Sequence, residues 1–493
     1  MEGDVGKDAT RSELRTGPRR EELAEVLDLI GDEARRYLAG LDRAPVRHTD
    51  ADRAAGSIGG DLPEVGSGAV AALREVLERS AGLLASSGPR YFHFITGGVT
   101  PAALGADWLA SVVDQNSADW IGAPLTSQLE AVSLRWLRDL FGLPMDWDGV
   151  LTTGATMANF VGLAAARRWW GLWHGVDVDE QGLAGLPPLP VFASGYLHPS
   201  DTKALAMLGV GRERATRLVR DAAGRIDLEA LERALRALDG APAVVIASAG
   251  EVNGGGFDPV DAMADLTHEY GAWLHVDGAF GLFAAVSPRT RHLVEGIAKA
   301  DSVIADGHKW LNVPYESGFA FVRDRTLLPP AFALSAAYLP SEDDPRPNFF
   351  TRGPESSRRA RSLAVWGTLR AYGRSGYREI VERCLDLARH LAARVDEAPD
   401  LERLAEVPLN IVCFRYRPPG VPEERLDDLN RRLGEAVLED GRVHFGTTVY
   451  EGRVAFRPAI VNWRTGEPDV ELIVEVTREL GARLVAQERR TPA

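Results

Sequence analysis

Apolar residues in this chain fall into two patterns that exchange places along its length. Between about 90 and 335, short apolar runs ("GVLTTGA", "PVFASGY", "TRLVR", "APAVVIASAG", "AWLHVDGA", "DSVIADGHKW" and "GFAFVR") alternate with stretches whose apolar positions recur at helical spacing. Runs that short and that uniformly apolar read as buried strands, and their alternation with helices predicts an α/β domain with a mostly parallel central sheet. Ahead of this region, "EELAEVLDLIGDEARRYLAGL" reads as an amphipathic helix behind a polar, mixed-charge lead over residues 1 to about 20 that reads as disordered. A second helix falls at 67–87, after a Gly-rich connection. Beyond a long helical stretch, "LNIVCFRYRP", a helix, "VHFGTTVYEGRVAFRPAIVNW" and a last helix predict a smaller α+β domain with antiparallel strands. The expected partition is 1–88, 89–373 and 374–493.

Composition narrows the class. With 493 residues, 45% of them hydrophobic, the chain can bury more core than one domain uses. Its 71 acidic and 56 basic residues give a formal net charge of −15, and no basic stripe with interleaved aromatics occurs, which argues against nucleic acid and anionic membranes as partners. Cys384 and Cys413 are too few for a disulfide framework and wrongly spaced for a metal site. The expectation is a cytoplasmic protein without a metal. The first residues lack the apolar core of a signal peptide, and no run of about 18 apolar residues follows, so no membrane span is expected.

Four local features carry candidate chemistry. Lys309 in "ADGHKWLNVP" sits between apolar flanks; a buried lysine can be neutral, and a neutral amine attacks carbonyl groups. Asp277 ends an apolar strand in "WLHVDGAFG", where open α/β sheets present ligands, and small Gly278 and Ala279 beside it leave room for a flat ring. "GVLTTGATMANFVGLAAARRW" is a strand, a turn and a helix start, with Thr153 and Thr156 near free backbone amides, an arrangement suited to an anion. His198 precedes a helix in "SGYLHPSDTKALAMLG" and could stack on a planar ring. Each also has an ordinary role open to it: a snorkelling lysine, a capping aspartate, a simple turn, a capping histidine.

Together these segments resemble the pyridoxal-phosphate-dependent group II amino-acid decarboxylases, fold type I relatives of the aromatic-L-amino-acid and glutamate decarboxylases. The resemblance spans roughly residues 60–480 and is most specific in "HVDGAFG…ADSVIADGHKWLNVP". It implies a fold type I, transferase-like α/β architecture, a large domain that binds pyridoxal 5'-phosphate, a small C-terminal domain, and a homodimer across which residues 1–88 pack. It implies that Lys309 carries the cofactor as a Schiff base, flanked by His308. Asp277 would pair with the ring nitrogen, His198 stack on one ring face and Ala279 touch the other. Ala155 and Thr156 would contact the phosphate, with Asp306 nearby.

The same resemblance bears on the reaction. Tyr338, 29 positions after Lys309 in a Pro-, Asp- and Ser-rich loop, matches the tyrosine that returns a proton to the substrate carbon, which makes the product an amine. Phe94, Ile95 and Thr96 in "YFHFITGG" match the loop that lines the substrate pocket, and the aromatics there favour an apolar or aromatic amino acid. No arginine stands out as a holder of an acidic side chain, which counts against glutamate, while diaminobutyrate stays open. Glu251, Val252 and Asn253 replace a Gly-Thr-Thr turn common in the family, so substrate preference does not transfer directly. Aldehyde synthesis, carbon–carbon cleavage, or cofactor binding without catalysis remain alternatives.

Overall fold

The computed structural model of the chain describes residues 18–336, 339–340 and 344–490. Each of the seven apolar runs forms a strand: β1 (Asp148–Thr152), β2 (Val191–Ala193), β3 (Ala215–Arg217), β4 (Val244–Ser248), β5 (Trp273–Asp277), β6 (Ser302–Asp306) and β7 (Gly318–Val322). They make one sheet in the order β1-β7-β6-β5-β4-β2-β3, in which β7 runs antiparallel to both neighbours and the other pairings are parallel. Strands β4 to β7 are buried along their whole length, because helices cover both sheet faces.

One helix shows how sequence sets this packing. Ala155–Trp173 leaves the end of β1 with small residues on its inner face, and a Cβ at Gly162 would stand 2.7 Å from the His275 ring. The helix therefore lies closer to β5 than a larger side chain would allow. Trp310, Phe319 and Phe321 fill the core beside it, each fully buried and worth roughly 1.5–3 kcal/mol in removed apolar surface.

The C-terminal part forms a four-stranded antiparallel sheet, β8 (Leu401–Arg403), β9 (Phe414–Tyr416), β10 (Thr447–Tyr450) and β11 (Arg453–Phe456), in the order β10-β11-β9-β8. The turn between β10 and β11 is Glu451-Gly452, both at positive φ (49° and 77°), as a two-residue hairpin matched to strand twist requires. Two details differ from expectation. The helix placed at 67–87 is shorter, Ala69–Leu77 followed by one turn at Ser80–Gly82. Strand β8 had no counterpart in the sequence pattern, because "LERLAEV" is charged and alternates too briefly to separate from a helix end.

The helix Glu22–Gly40 has no buried residue, and Leu23 and Leu27 on it are exposed. Residues 1–17 of the expected disordered lead, and Tyr338, lie outside the described residues. Among the described residues no helix is long and apolar enough to cross a membrane.

Candidate active site

Adjacent parallel strands deliver their last residues to the same edge of the sheet, and β5 and β6 end there in carboxylates. Asp277 closes β5; its Oδ1 accepts the amide of Ala279 at 2.9 Å and its Oδ2 accepts Nδ2 of Asn159 at 3.0 Å. Asp306 closes β6, and the turn behind it brings Nζ of Lys309 to 3.1 Å from its Oδ2. The apolar flanks cover most of the Lys309 side chain, 14% exposed, and the structure adds an ion-pair partner that the flanks did not suggest. Oδ1 of Asp306 accepts the amide of Ala155 at 2.6 Å, so the start of the helix Ala155–Trp173 is tied to the lysine turn. Thr156 follows on the cleft wall, its amide in the first helical turn where no intrahelical acceptor exists. Gly154, at φ 148°, leaves this corner open: a Cβ would stand 3.2 Å from the ring of His308 and 3.5 Å from Oδ1 of Asp306.

His198 has both the capping role and the cleft position open to it in the sequence. It is the N-cap of the helix Pro199–Met207, its Nδ1 bonded to the amide of Ser200 at 3.2 Å and to the Ser200 hydroxyl at 2.7 Å, and its side chain lines the cleft with Ala279 and His308. Burial pushes both His198 and His308 below the ordinary histidine range, which leaves neutral imidazoles at neutral pH. The ring of Tyr315 stacks on His308 with centroids 4.3 Å apart.

The opposite wall comes from the loop at residues 91–97. It is pinned on one side by the amide of Phe92 to the carbonyl of His444 at 2.7 Å, and on the other by the amide of Gly97 to the carbonyl of His308 at 3.1 Å. A Cβ at Gly97 would lie 1.7 Å from the Lys309 carbonyl oxygen, so only glycine lets this loop reach the lysine turn. Phe94 and Ile95, at φ 54° and 61°, line the cleft. Thr96 does not: it is buried behind them, and its hydroxyl holds the Tyr315 hydroxyl at 3.0 Å. Val252, from the segment that departs from the family pattern, lines the cleft, and Glu251 beneath it is buried and accepts the amides of Asn253 (2.7 Å) and Gly254 (2.6 Å).

One correction concerns arginine. Arg457, just past β11, enters the cleft wall from the small sheet, with Nη1 donating to the Val252 carbonyl at 3.2 Å. Sequence reading found no arginine here because the small sheet has to dock beside the cleft before the residue that follows β11 reaches its wall. Asn159 was missed too; the available signal was a lone amide inside the apolar helical run "MANFVGLAAA".

The cleft holds about 650 Å³. An amine, a carboxylate at a strand end, a neutral imidazole and the amides of a helix start all open into it, and this donor set fits an aldehyde-bearing, phosphorylated pyridine. Fold and wall together define a pyridoxal-phosphate enzyme of fold type I. Residues 74–417 match the pyridoxal-dependent decarboxylase conserved domain, and the chain belongs to that family. It is 29% identical over 453 residues to an aromatic-L-amino-acid decarboxylase of Bacillus atrophaeus, covering 90% of this chain and 91% of that one. It is 29% identical over 409 residues to an acidic amino acid decarboxylase of Mus musculus, covering 80% and 74%. The solved structure of mouse CSAD superimposes with a TM-score of 0.86 at 25% identity, over 94% of this chain and 99% of that one. The chain is thus a pyridoxal-phosphate-dependent amino-acid decarboxylase.

Proposed function

We propose that the enzyme converts an apolar or aromatic L-amino acid to its amine and CO2, with Lys309 and Asp277 as the pair that holds the cofactor. The observation that carries this reading is the convergence of Lys309, Asp277 and the Ala155 helix start on one cleft at the ends of β5, β6 and β1. Pyridoxal phosphate, when bound, supplies a sink for the electron pair left as the carboxylate departs. Lys309 would hold the cofactor through Nζ. Asp277 would keep a proton on the ring nitrogen, His198 and Ala279 would pack against the ring, and Ala155 and Thr156 would hold the phosphate. Asp306 and His308 hold the lysine turn in place.

On the substrate side, Phe94, Ile95 and Val252 give an apolar surface, with Thr96 acting through Tyr315. Tyr338 is assigned as the proton donor to the substrate carbon, on its spacing from Lys309. A panel of L-amino acids with products read by mass spectrometry tests this: one aromatic amino acid should give the amine that has lost CO2. An aldehyde with ammonia and hydrogen peroxide would mean that Tyr338 does not protect the product.

A second substrate class is favoured by one observation. Arg457 on the cleft wall is a half-buried cation, and such a group suits a side-chain carboxylate or sulfonate; the mouse relative is named for acidic amino acids. The same panel separates the two.

We also propose a cytoplasmic homodimer. Leu62, Val112, Ile121 and Leu125 are each more than 60% exposed, as are Leu23 and Leu27 of the N-terminal helix, and a partner subunit would cover them. Residues 1–88 would then pack across the partner, ahead of a cofactor domain at 89–373 and a small domain at 374–493.

A further inference from the structure

The helix capped by His198 begins with a second carboxyl that none of the roles above uses. Asp201 is fully buried, at 0% exposure. Its Oδ2 accepts the amide of His198 at 3.2 Å, and its Oδ1 has no hydrogen-bond partner among the described residues. Its side chain meets that of Asp277. Two carboxylates in contact in a buried site cannot both be ionised, so this pair holds a proton.

The surroundings decide where the proton sits. Asp277 opens on the cleft and accepts two N–H donors, from Ala279 and Asn159, both of which favour its anion. Asp201 accepts one backbone amide. Burial first, and then the charge of Asp277, push the Asp201 carboxyl well above the usual range.

Behind Asn159 runs a hydrogen-bonded chain that lets it donate to Asp277. The indole of Trp273 can only donate, and gives its Nε1–H to Oγ of Ser302 at 3.0 Å. The Ser302 hydroxyl lies 2.7 Å from Nδ1 of His275 and keeps its own hydrogen free to donate there. Burial pushes His275 down to about 4, so the ring is neutral at neutral pH, and with Nδ1 accepting from Ser302 its proton lies on Nε2 and goes to Oδ1 of Asn159 at 3.0 Å. Asn159 is left to donate through Nδ2, to Asp277 at 3.0 Å and to Ser200 at 3.2 Å. Turning its oxygen toward Asp277 would set two acceptors against each other.

We propose that Asp201 is a protonated positioning residue that donates its carboxyl hydrogen to Asp277, fixing Asp277 as the anion while holding His198 at the head of its helix. The proposal rests on the assignment of Asp277 to the ring nitrogen. Each donor on Asp277 makes it a weaker base, so the proton shared with the ring nitrogen stays on the ring. Without Asp201 that proton shifts toward Asp277 and the sink weakens.

Asp201→Asn and Asp201→Leu separate this from a packing role. An asparagine can reproduce the protonated carboxyl, donating Nδ2 to Asp277 and accepting the His198 amide, whereas leucine can do neither. Holoenzyme reconstituted with pyridoxal phosphate labelled with 15N in the ring is read by the ring-nitrogen chemical shift, by cofactor affinity and by kcat. The asparagine variant should keep the wild-type shift and bind cofactor within about threefold of wild type, the range of a preserved hydrogen bond. The leucine variant should move the shift toward the unprotonated ring and lose about ten- to a hundredfold in kcat, the range for a lost hydrogen bond to a charged group. The infrared difference between wild type and Asp201→Asn at neutral pH should contain the carbonyl band of a protonated carboxyl. An asparagine variant that matches the leucine variant, or a missing acid band, overturns the proposal; the asparagine variant and the infrared band decide alone if the leucine variant does not fold. Asp277→Ala is the control on the underlying assignment. If it keeps the wild-type shift and affinity, the role of Asp277 falls and Asp201's with it; if it loses them while Asp201→Asn behaves as leucine does, only the Asp201 proposal falls.

Discussion

The two walls of the cleft are built differently. The strand-end wall is made of Asp277, Asp306, Lys309 and Ala155: Asp306 holds the Ala155 amide at 2.6 Å and Nζ of Lys309 at 3.1 Å, Asp277 holds the Ala279 amide at 2.9 Å, and both carboxylates are almost closed to solvent. The facing wall gathers Phe94, Ile95, Tyr315, Val252 and Arg457 from segments scattered along the chain, and Phe94 and Tyr315 are 61% and 59% exposed. The first wall inherits its geometry from the sheet, whose register fixes where β5 and β6 end. The second is set by loops and by the docking of the small sheet. Cofactor chemistry belongs on the rigid wall, and substrate preference can change on the other without disturbing it.

The largest effect should come from the strand-end wall. Lys309→Ala should lower activity by about a thousandfold or more, as loss of a covalent anchor does, and should remove the visible cofactor absorbance that borohydride bleaches. A variant that keeps this absorbance would show that another amine holds the cofactor and that the two walls have been assigned wrongly.

The same wall has a signature in pH. His275 is held at about 4 by burial, whereas an unfolded histidine titrates near 6.5. Between these values the unfolded chain binds the extra proton, so this group's stabilisation is complete above about 6.5 and drains away as pH falls toward 4. About 2 kcal/mol of it should be gone at pH 5. Asp258, pushed up to about 7 by burial, works in the opposite direction over much of the same window, so the raw pH profile of the wild type hides both. The clean quantity is the cost of His275→Gln in equilibrium urea unfolding, which should be about 2 kcal/mol smaller at pH 5 than at pH 7. An equal cost at both values would mean that His275 is not held neutral behind Asp277.

On the facing wall, Arg457→Gln tests whether substrate charge is read there. It should raise KM for an acidic amino acid about tenfold more than for an aromatic one, the size of one hydrogen bond to a charged group. Equal changes for both would remove Arg457 from side-chain recognition.

What could be read from the sequence follows the same division. Seven apolar runs became seven strands, and Asp277, Lys309, Ala155, Thr156, Asp306, His198 and Ala279 all reach one cleft, because strand ends and helix starts place residues by local rules. Arg457 and Tyr315 were not legible, since neither stands at a strand end of the large sheet. Thr96 was expected to face the substrate, but two consecutive residues at positive φ, Phe94 and Ile95, reset which side chain of that loop points where. Asn159 and Asp201 are polar residues buried behind the wall; local pattern offers at most the lone amide of Asn159 in its apolar run, and their partners come from a different strand–helix unit that it does not reveal.

The smallest effect should be at Phe94, where the openness of the second wall is most direct. Its ring packs against His93 with centroids 3.8 Å apart and otherwise faces solvent over most of its surface. Truncation removes little buried area in the free chain, so Phe94→Ala should leave unfolding midpoints almost unchanged. If an aromatic substrate stacks there, the variant loses that contact alone, about 0.5–1.5 kcal/mol, or roughly two- to tenfold in kcat/KM for aromatic amino acids and no more than twofold for aliphatic ones. A uniform loss across both classes would instead mean that Phe94 shapes the loop, through the strained backbone it shares with Ile95, and that the facing wall is stiffer than its exposure suggests.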